Sequence, residues 1–527
     1  MNKNIFKAVL CAALTLPVLS SCELDQEPYT SITYDSSWST YDDACKHYTG
    51  LLTVVRGVVG GSAAYVPEAM ADLFNLRAGA ASLGQEHRWT FTTNQFAGDA
   101  VWANNFSLVM QANDFLANID TFINAEEDGS EKQLRLKHYK GVAYFARAFA
   151  YTNMIVRYCK DYEPETAANE LGLPIVTTVD KEARPSRATL QETVNFILSD
   201  FKNAEDNMQA IRDFDNSSDG LYHPGLDALD ALQMRFALYT HDFDKAIEKA
   251  DIIIDGYSLA SSVAEMQQLW VLDTGSEIIF EPAQTPEEHA NGYGTVYISY
   301  DIRDLTGNKD YEIYGCDPYL VPTQGVVDLY EDGDTRKNVY FTNPYMEEAY
   351  PKTKLSNTST DDPSESAWLL FKFPGNQNLF KNPSDWYSNP YNMSKAFRSA
   401  EAYLTAAEAY LRKDAPDEGK ARQYLNDLRS ARNASEIEAT VTGQDLVKEM
   451  EDEWTREYLG EGKRLDCLKR WHKGFKRMDA QHFNGNLLTS VPNAGYQDLE
   501  VSASDKRFVW EIPDNDRQAN PNLQPNW

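Results

Sequence analysis

The chain is poor in the residues that build metal and redox sites. Its 527 residues include 6 Cys and 8 His, with no C-x-x-C and no pair of histidines at metal-ligand spacing. A zinc centre is therefore not expected. There is no G-x-S-x-G nucleophile elbow and no H-E-x-x-H. Glu461-Gly462-Lys463-Arg464 lacks the spacing and the Ser/Thr of a phosphate loop. No cofactor is expected. Positive charge is also scarce: 49 Lys and Arg stand against 80 Asp and Glu, a net charge of −31. Such a surface argues against nucleic acid and anionic lipid headgroups as partners, because both are polyanions. Past the N-terminus no stretch approaches eighteen consecutive apolar residues, so no spanning helix is expected there.

What is present begins at residue 1. In MNKNIFKAVLCAALTLPVLSSC, Lys3 and Lys7 precede an apolar run from Ala8 to Leu19. The run is too short to span a bilayer and has the length of a secretory signal core. Leu19-Ser20-Ser21-Cys22 reads as a lipobox, with cleavage before Cys22 after its thiol has been lipidated. Two or three acyl chains (palmitate among them), at about 0.8 kcal/mol per buried CH2, form a stable anchor. Residues 1–21 are thus read as a signal peptide. The mature chain would keep 506 residues with a net charge of −33. Residues 22–40 open on acidic, turn-rich Glu23-Leu24-Asp25-Gln26-Glu27-Pro28 and read as a tether. Cys45, Cys159, Cys316 and Cys467 allow three disulfide connectivities, among which spacing does not choose.

Helical periodicity recurs over Leu134–Tyr158, Thr189–Met208, Asp227–Ile254, Ala400–Leu411, Lys420–Ala431 and Asp445–Trp471. Thr189 with Glu192 has the capping-box pattern. Asp227–Ile254 divides at His241-Asp242, and the pair around Ala415-Pro416 is a looser copy of that hairpin. Alanines at the expected contacts make both pairs similar to tetratricopeptide repeats. Segments near 28–100, 256–395 and 472–527 are rich in Gly, Pro, Asn and aromatics and read as loops, with short strand-like pieces such as Glu277-Ile278-Ile279-Phe280.

Taken in order, these segments resemble the SusD/RagB family of outer-membrane nutrient-binding lipoproteins. The likeness runs through Ser21-Cys22 to Pro28, Trp102 to Asn113, Arg147-Ala-Phe-Ala-Tyr151, Leu171-Gly-Leu-Pro174 and Arg184-Pro-Ser-Arg187. It continues in Arg398-Ser-Ala-Glu401-Ala-Tyr403-Leu404, in Glu453 to Trp471 and in Trp510-Glu-Ile512-Pro513 to Asn520-Pro521-Asn522-Leu523. The resemblance implies a mainly α fold, with tetratricopeptide-like pairs as scaffold and long loop insertions. It makes 41–527 a single domain, with scaffold near 102–258 and 396–471, ligand or partner loops near 60–100 and 259–395, and a C-terminal segment 472–527. It also implies a non-enzymatic role: capture of oligosaccharides at the cell surface and delivery to a SusC-like TonB-dependent transporter. Arg456, Glu457, Glu461, Arg464 and Asp466 are expected to form ion pairs that lock the last long helix.

Sugar recognition calls for exposed rings that stack on C–H faces, with amides, carboxylates or Arg for the hydroxyls. The loops offer Asn75, Arg77, Arg88 and Trp89 around the run Ala78–Gly84, then Tyr293, Tyr297 and Tyr300, then Trp386 and Tyr387. Asp215, Ser217 and Asp219 imitate the start of a calcium loop, but Leu226 occupies the position of its closing Glu. Two alternatives share these loops: capture of peptides, and a secreted glycoside hydrolase whose carboxylate pair spacing alone does not reveal.

Overall fold

The architecture follows from the helical stripes, and it was obtained as a computed structural model. The structure describes residues 37–77, 80, 82–93, 95–208, 222–288, 294–304, 311–344, 353–354, 366–380, 391–483, 486–487 and 499–527. Packing divides the chain into Met1–His47 and Tyr48–Trp527, a boundary inside the first helix. In the first unit, the Thr40 backbone N–H donates to Asp43 (3.0 Å) and the Asp43 N–H to the Thr40 hydroxyl (3.2 Å), a reciprocal cap. The Trp38 and His47 rings stack at 3.9 Å.

The main helices are α1 (Tyr41–Val59), α2 (Ser62–Met70), α3 (Asp99–Ala125), α4 (Glu131–Tyr158), α5 (Leu190–Met208), α6 (Leu226–Tyr239), α7 (Phe243–Gly256), α8 (Val263–Val271), α9 (Ala400–Arg412), α10 (Glu418–Ala431), α11 (Gln444–Tyr458) and α12 (Arg464–Arg470). The described strands form only two-stranded antiparallel pairs, so the fold is mainly α. The region read as loop before residue 100 in fact holds α1 and α2. By mean hydropathy Tyr41–Met70 is apolar enough to cross a membrane. It is nevertheless broken between α1 and α2, and its Val55, Val66 and Ala69 are core residues.

Local signals act where the sequence places them. The Thr189 N–H donates to Glu192 (2.8 Å) and the Glu192 N–H to the Thr189 hydroxyl (3.1 Å), starting α5. Asp242 caps α7 and Asp417 caps α10, which produces the two expected hairpins. These hairpins pack together, with α7 against α9, around Ala237, Leu238, Ala246, Ala400, Leu404, Leu425 and Leu428. The small side chains allow the close approach that stacked helix pairs need. Ahead of them, α3, α4 and α5 pack in sequence. Arg147 on α4 grips Asp200 of α5 through two bonds (2.7 and 2.8 Å) and Asn113 of α3 through a third (2.7 Å).

The C-terminal segment closes the scaffold. Asn520 donates to the Pro185 carbonyl (2.8 Å), and Arg187 donates to the Asn526 side chain (2.8 Å). Two family-like stretches more than 300 residues apart in the chain are thus one structural joint.

The expected last long helix is two helices. Gly460 and Gly462 take positive φ (81° and 78°) between α11 and α12. A Cβ on Gly462 would lie 2.6 Å from the Ala64 Cα, so glycine is required both for the turn and for its approach to α2. The anticipated ion pairs do form: Arg456 pairs along α11 with Glu453 (2.7 Å), as expected, whereas the other four bind this turn to distant segments. Glu457 meets Arg336, Arg398 and Arg432, Glu461 meets Lys372 and Arg398, Arg464 meets Asp72, and Asp466 meets Arg157.

Candidate ligand-binding site

A groove of about 580 Å³ opens where three segments converge: the end of the Ala78–Gly84 run, the start of α3, and the chain around Val296 and Tyr319. Its volume lies in the range of small-ligand sites. The positions of its walls follow from local bonding. Phe74–Leu76 pairs antiparallel with Leu320–Pro322, and the Arg77 N–H extends the ladder to the Tyr319 carbonyl (2.8 Å). Arg77 then folds onto the facing chain, donating to the Pro318 carbonyl (3.0 Å) and pairing with Asp317 (2.8 Å). Behind them Arg477, 1% exposed, donates to the carbonyls of His87 (2.6 Å) and Ala71 (2.8 Å), and burial lowers its pKa to about 9. The same burial, with Arg477 alongside, depresses the His87 imidazole far below its usual value, so it stays neutral and accepts from the Leu76 N–H. This rigid backing presents the single turn Gly84–His87 to the groove.

Two tyrosines, Tyr65 from α2 and Tyr319, line the groove in half-buried positions. Half-exposed aromatic rings are the surface that sugar C–H faces stack on. Gln95 is exposed at the rim and accepts from the Gln85 amide (3.0 Å). Glu86 anchors the wall by accepting from the Ala97 N–H (2.9 Å). Asp99 at the start of α3 is raised to about 6 by burial and by its neighbours Asp514 and Asp516. Among the described lining residues the charged ones, Glu86 and Asp99, are acidic. The groove therefore suits a neutral ligand rich in hydroxyls better than an anion.

The proposed site residues divide three ways. Asn75, Trp89 and Tyr297 do not present surfaces to a ligand, being 1%, 2% and 0% exposed. The Trp89 indole donates to the Met70 carbonyl (2.7 Å), and its ring packs among Phe91, Phe475 and Phe508. Tyr297 donates to the Gly460 carbonyl (3.1 Å) beside Phe373. Asn75 is a strand residue with its amide in the core. Trp89 and Tyr297 pin their own segments to the scaffold, because a large ring gains most from burial, whereas the buried Asn75 amide has no hydrogen-bond partner among the described residues. Arg77 and Arg88 are not among the groove's lining residues; Arg77 is engaged by Pro318 and Asp317, and the Arg88 guanidinium folds back over Gly84. Tyr300 begins a strand whose side chains lie outside the described ones, as do Tyr293, Trp386, Tyr387, Cys22, Asp215, Ser217 and Asp219. Among the described residues no group of three or more His, Cys, Asp or Glu is placed to hold a metal ion. Cys159 and Cys467 are buried thiols outside any disulfide, raised to about 11 by burial.

The sequence reading missed Tyr65, Gln95 and Tyr319. Tyr65 sits in an apolar stretch that looks like core, whereas Asp317-Pro318-Tyr319, an aromatic beside a proline in a loop-rich region, was a usable signal.

The densest carboxylate cluster lies elsewhere and is unsuited to acid–base work. Glu457, fully buried, accepts from Arg398 (2.5 Å), Arg432 (2.8 and 3.0 Å) and Arg336 (3.0 Å). Burial alone would raise its pKa, but Arg432 and Arg398 hold it well below the usual range. A glycosidase acid needs the opposite shift. Glu68 and Glu281 are raised to about 8 by burial, yet both are 0% exposed and line no described groove.

Comparison with known proteins places this arrangement. The family described as the SusD family matches residues 263–527, and one described as starch-binding associating with outer membrane matches residues 45–238. The starch-binding protein SusD of Bacteroides thetaiotaomicron is 32% identical over 130 residues, 25% of this chain; the match spans only 20% of that relative's length. SusD-like protein P38 of Formosa agariphila is 23% identical over 97% of both chains. Among solved structures, a SusD superfamily protein of B. thetaiotaomicron superposes with a TM-score of 0.71 at 22% identity, covering 93% of this chain and 100% of its own. A SusD-like carbohydrate binding protein of Bacteroides vulgatus gives 0.67 at 19% identity, covering 92% and 97%. With one family matched over half the chain and its fold shared across nearly all of it, this protein belongs to the SusD family.

Proposed function

We propose that this protein captures neutral oligosaccharides at the outer membrane, in the groove between Tyr65 and Tyr319, without cleaving them. The observation that carries the reading is the pairing of two half-exposed tyrosines with amide and carboxylate groups on a rigid wall. Rings stack on the apolar faces of a sugar, and Gln95 and Asp99 are of the types that bond its hydroxyls. Affinity per sugar is modest, since each hydroxyl exchanges water for protein at small net gain. The names of the family and of its relatives, which mention starch, carbohydrate and the outer membrane, support this assignment. Lipidation at Cys22 would hold the protein at the membrane, and a TonB-dependent barrel would receive the ligand.

Calorimetry against a panel of neutral oligosaccharides, acidic oligosaccharides and peptides tests the reading, with product analysis on the same samples. Binding confined to neutral glycans, with the glycan recovered intact, is the expected result. Binding by peptides alone would overturn the ligand class, and shortened glycans would overturn the non-catalytic role.

A further inference from the structure

Away from the groove, two cavities of about 60 and 80 Å³ lie inside the scaffold. They share five lining residues: Asn153, Arg157, Arg235, Glu401 and Lys463. Each volume exceeds the space one water-sized body needs. Their common wall carries three cations and one carboxylate, and Asp466 beside the second cavity adds one more.

Pairing accounts for two of the cations. Arg235 grips Glu401 through two bonds of 2.6 Å, and Arg157 reaches Asp466 at 3.4 Å. Lys463 is left with Glu401 at 3.7 Å, beyond hydrogen-bond length, and with the Tyr458 ring at 5.9 Å. Among these shared cations Lys463 is therefore the one without a hydrogen-bond partner among the described residues, although Asp161, which also lines the second cavity, offsets part of the positive charge. Burial and the like charge of Arg235 depress the Lys463 ammonium to about 8, which is how an under-compensated cation behaves.

A second observation concerns hydrogen bonding. Four side chains lining these cavities carry buried polar atoms with no partner: Thr405 Oγ1, Trp454 Nε1, Tyr458 Oη and Arg157 Nε. They are 0%, 4%, 4% and 8% exposed. The indole and guanidinium N–H groups can only donate, and so can the Lys463 ammonium. A water entering here would bring two protons along with its two acceptor lone pairs, whereas the indole, guanidinium and ammonium groups call only for acceptors. A small anion brings acceptor capacity alone, and it supplies the charged acceptor that Lys463 lacks at hydrogen-bond distance.

We propose that this paired chamber is a binding site for a halide-sized monovalent anion, held between Lys463, Arg157 and Arg235. The anion joins α4, α6 and α9 to the glycine turn ahead of α12, so it acts as a structural ion remote from the ligand groove.

The test uses the full-length protein in detergent, titrated with bromide at constant ionic strength with gluconate as counter-anion. The melting temperature should rise and saturate with bromide, and crystals grown in bromide should show an anomalous peak inside the chamber. Lys463→Met should abolish the saturating rise. Tyr458→Phe, which keeps every charge, should raise the half-saturating bromide concentration by about tenfold, the usual weight of a hydrogen bond to an ion. Identical melting curves in bromide and gluconate, or water alone in the chamber, would overturn the proposal even if Lys463→Met fails to fold.

Discussion

Replacing Glu457 with glutamine removes one negative charge from the most densely bonded carboxylate described. Four N–H groups from three guanidiniums converge on its oxygens, at 2.5 to 3.0 Å. Glutamine is nearly isosteric, so the cavity term is small and the loss is electrostatic. One oxygen becomes an NH2 that faces donors, and each unsatisfied buried donor costs about 1–3 kcal/mol. Arg336, Arg398 and Arg432, all 0–1% exposed, would also be left with less compensating charge. Breaking a buried ion pair from one side costs about 3–5 kcal/mol, and that range is expected here. The control is Asp452→Asn, which breaks the i,i+4 pair with Lys448, a side chain 70% exposed. Such a pair contributes about 0.3–0.5 kcal/mol. Urea unfolding followed by tryptophan fluorescence should therefore separate the two variants by several kcal/mol at equal slope. Equal midpoints for both variants would refute the claim that this cluster holds the glycine turn to the scaffold.

The remaining predictions touch other links in the argument. Gly462→Ala should destabilise by about 2–4 kcal/mol, combining left-handed strain with overpacking against Ala64, and should lower the melting temperature. Tyr319→Ala should weaken glycan binding by about 1–3 kcal/mol at unchanged melting temperature, whereas Trp89→Ala should lower stability by about 3–5 kcal/mol, as expected for a core ring. Glu401, Glu408 and Glu453 are buried, yet Arg235, Arg470 and Arg336 hold each at about 2. Their stabilisation is present above the ordinary carboxylate pKa of about 4.5 and is lost as pH falls from there towards 2. Acid titration of the melting temperature should show that decline. Glu68 has the opposite sign: raised to about 8, it costs stability increasingly as pH rises from about 4.5 to 8. Glu68→Gln should flatten the loss of stability between pH 6 and 9, and an unchanged pH profile would refute the shift.

Much of the scaffold is legible because its signals are local. The Thr189–Glu192 cap, the breaks at Asp242 and Asp417, and the alanine-lined hairpins depend on residues three or four apart, which the helix brings together unaided. The order of family-like segments is also written in the chain, and so is the identity of Arg147, Glu457 and Asn520 as motif residues. Their partners are not. Arg147 meets Asp200, Glu457 meets Arg336 and Asn520 meets Pro185 only because packing closes loops of 50 to more than 300 residues.

The candidate groove divides along the same line. Sequence alone selects the loops near residues 77–88 and 293–300 as aromatic and polar segments outside the helical pattern. Which rings face outward is a tertiary decision: Trp89 and Tyr297 turn inward because each finds a carbonyl and an apolar pocket there, while Tyr65, on an apolar helix, lines the groove. Composition determined that the chain would be acidic, Cys and His spacing left no zinc motif, and the order of its segments implied, through the family resemblance, a mainly helical fold. Only the folded chain decided which charges neutralise one another, because pairing energy depends on distance and burial, and neither is a property of sequence neighbours.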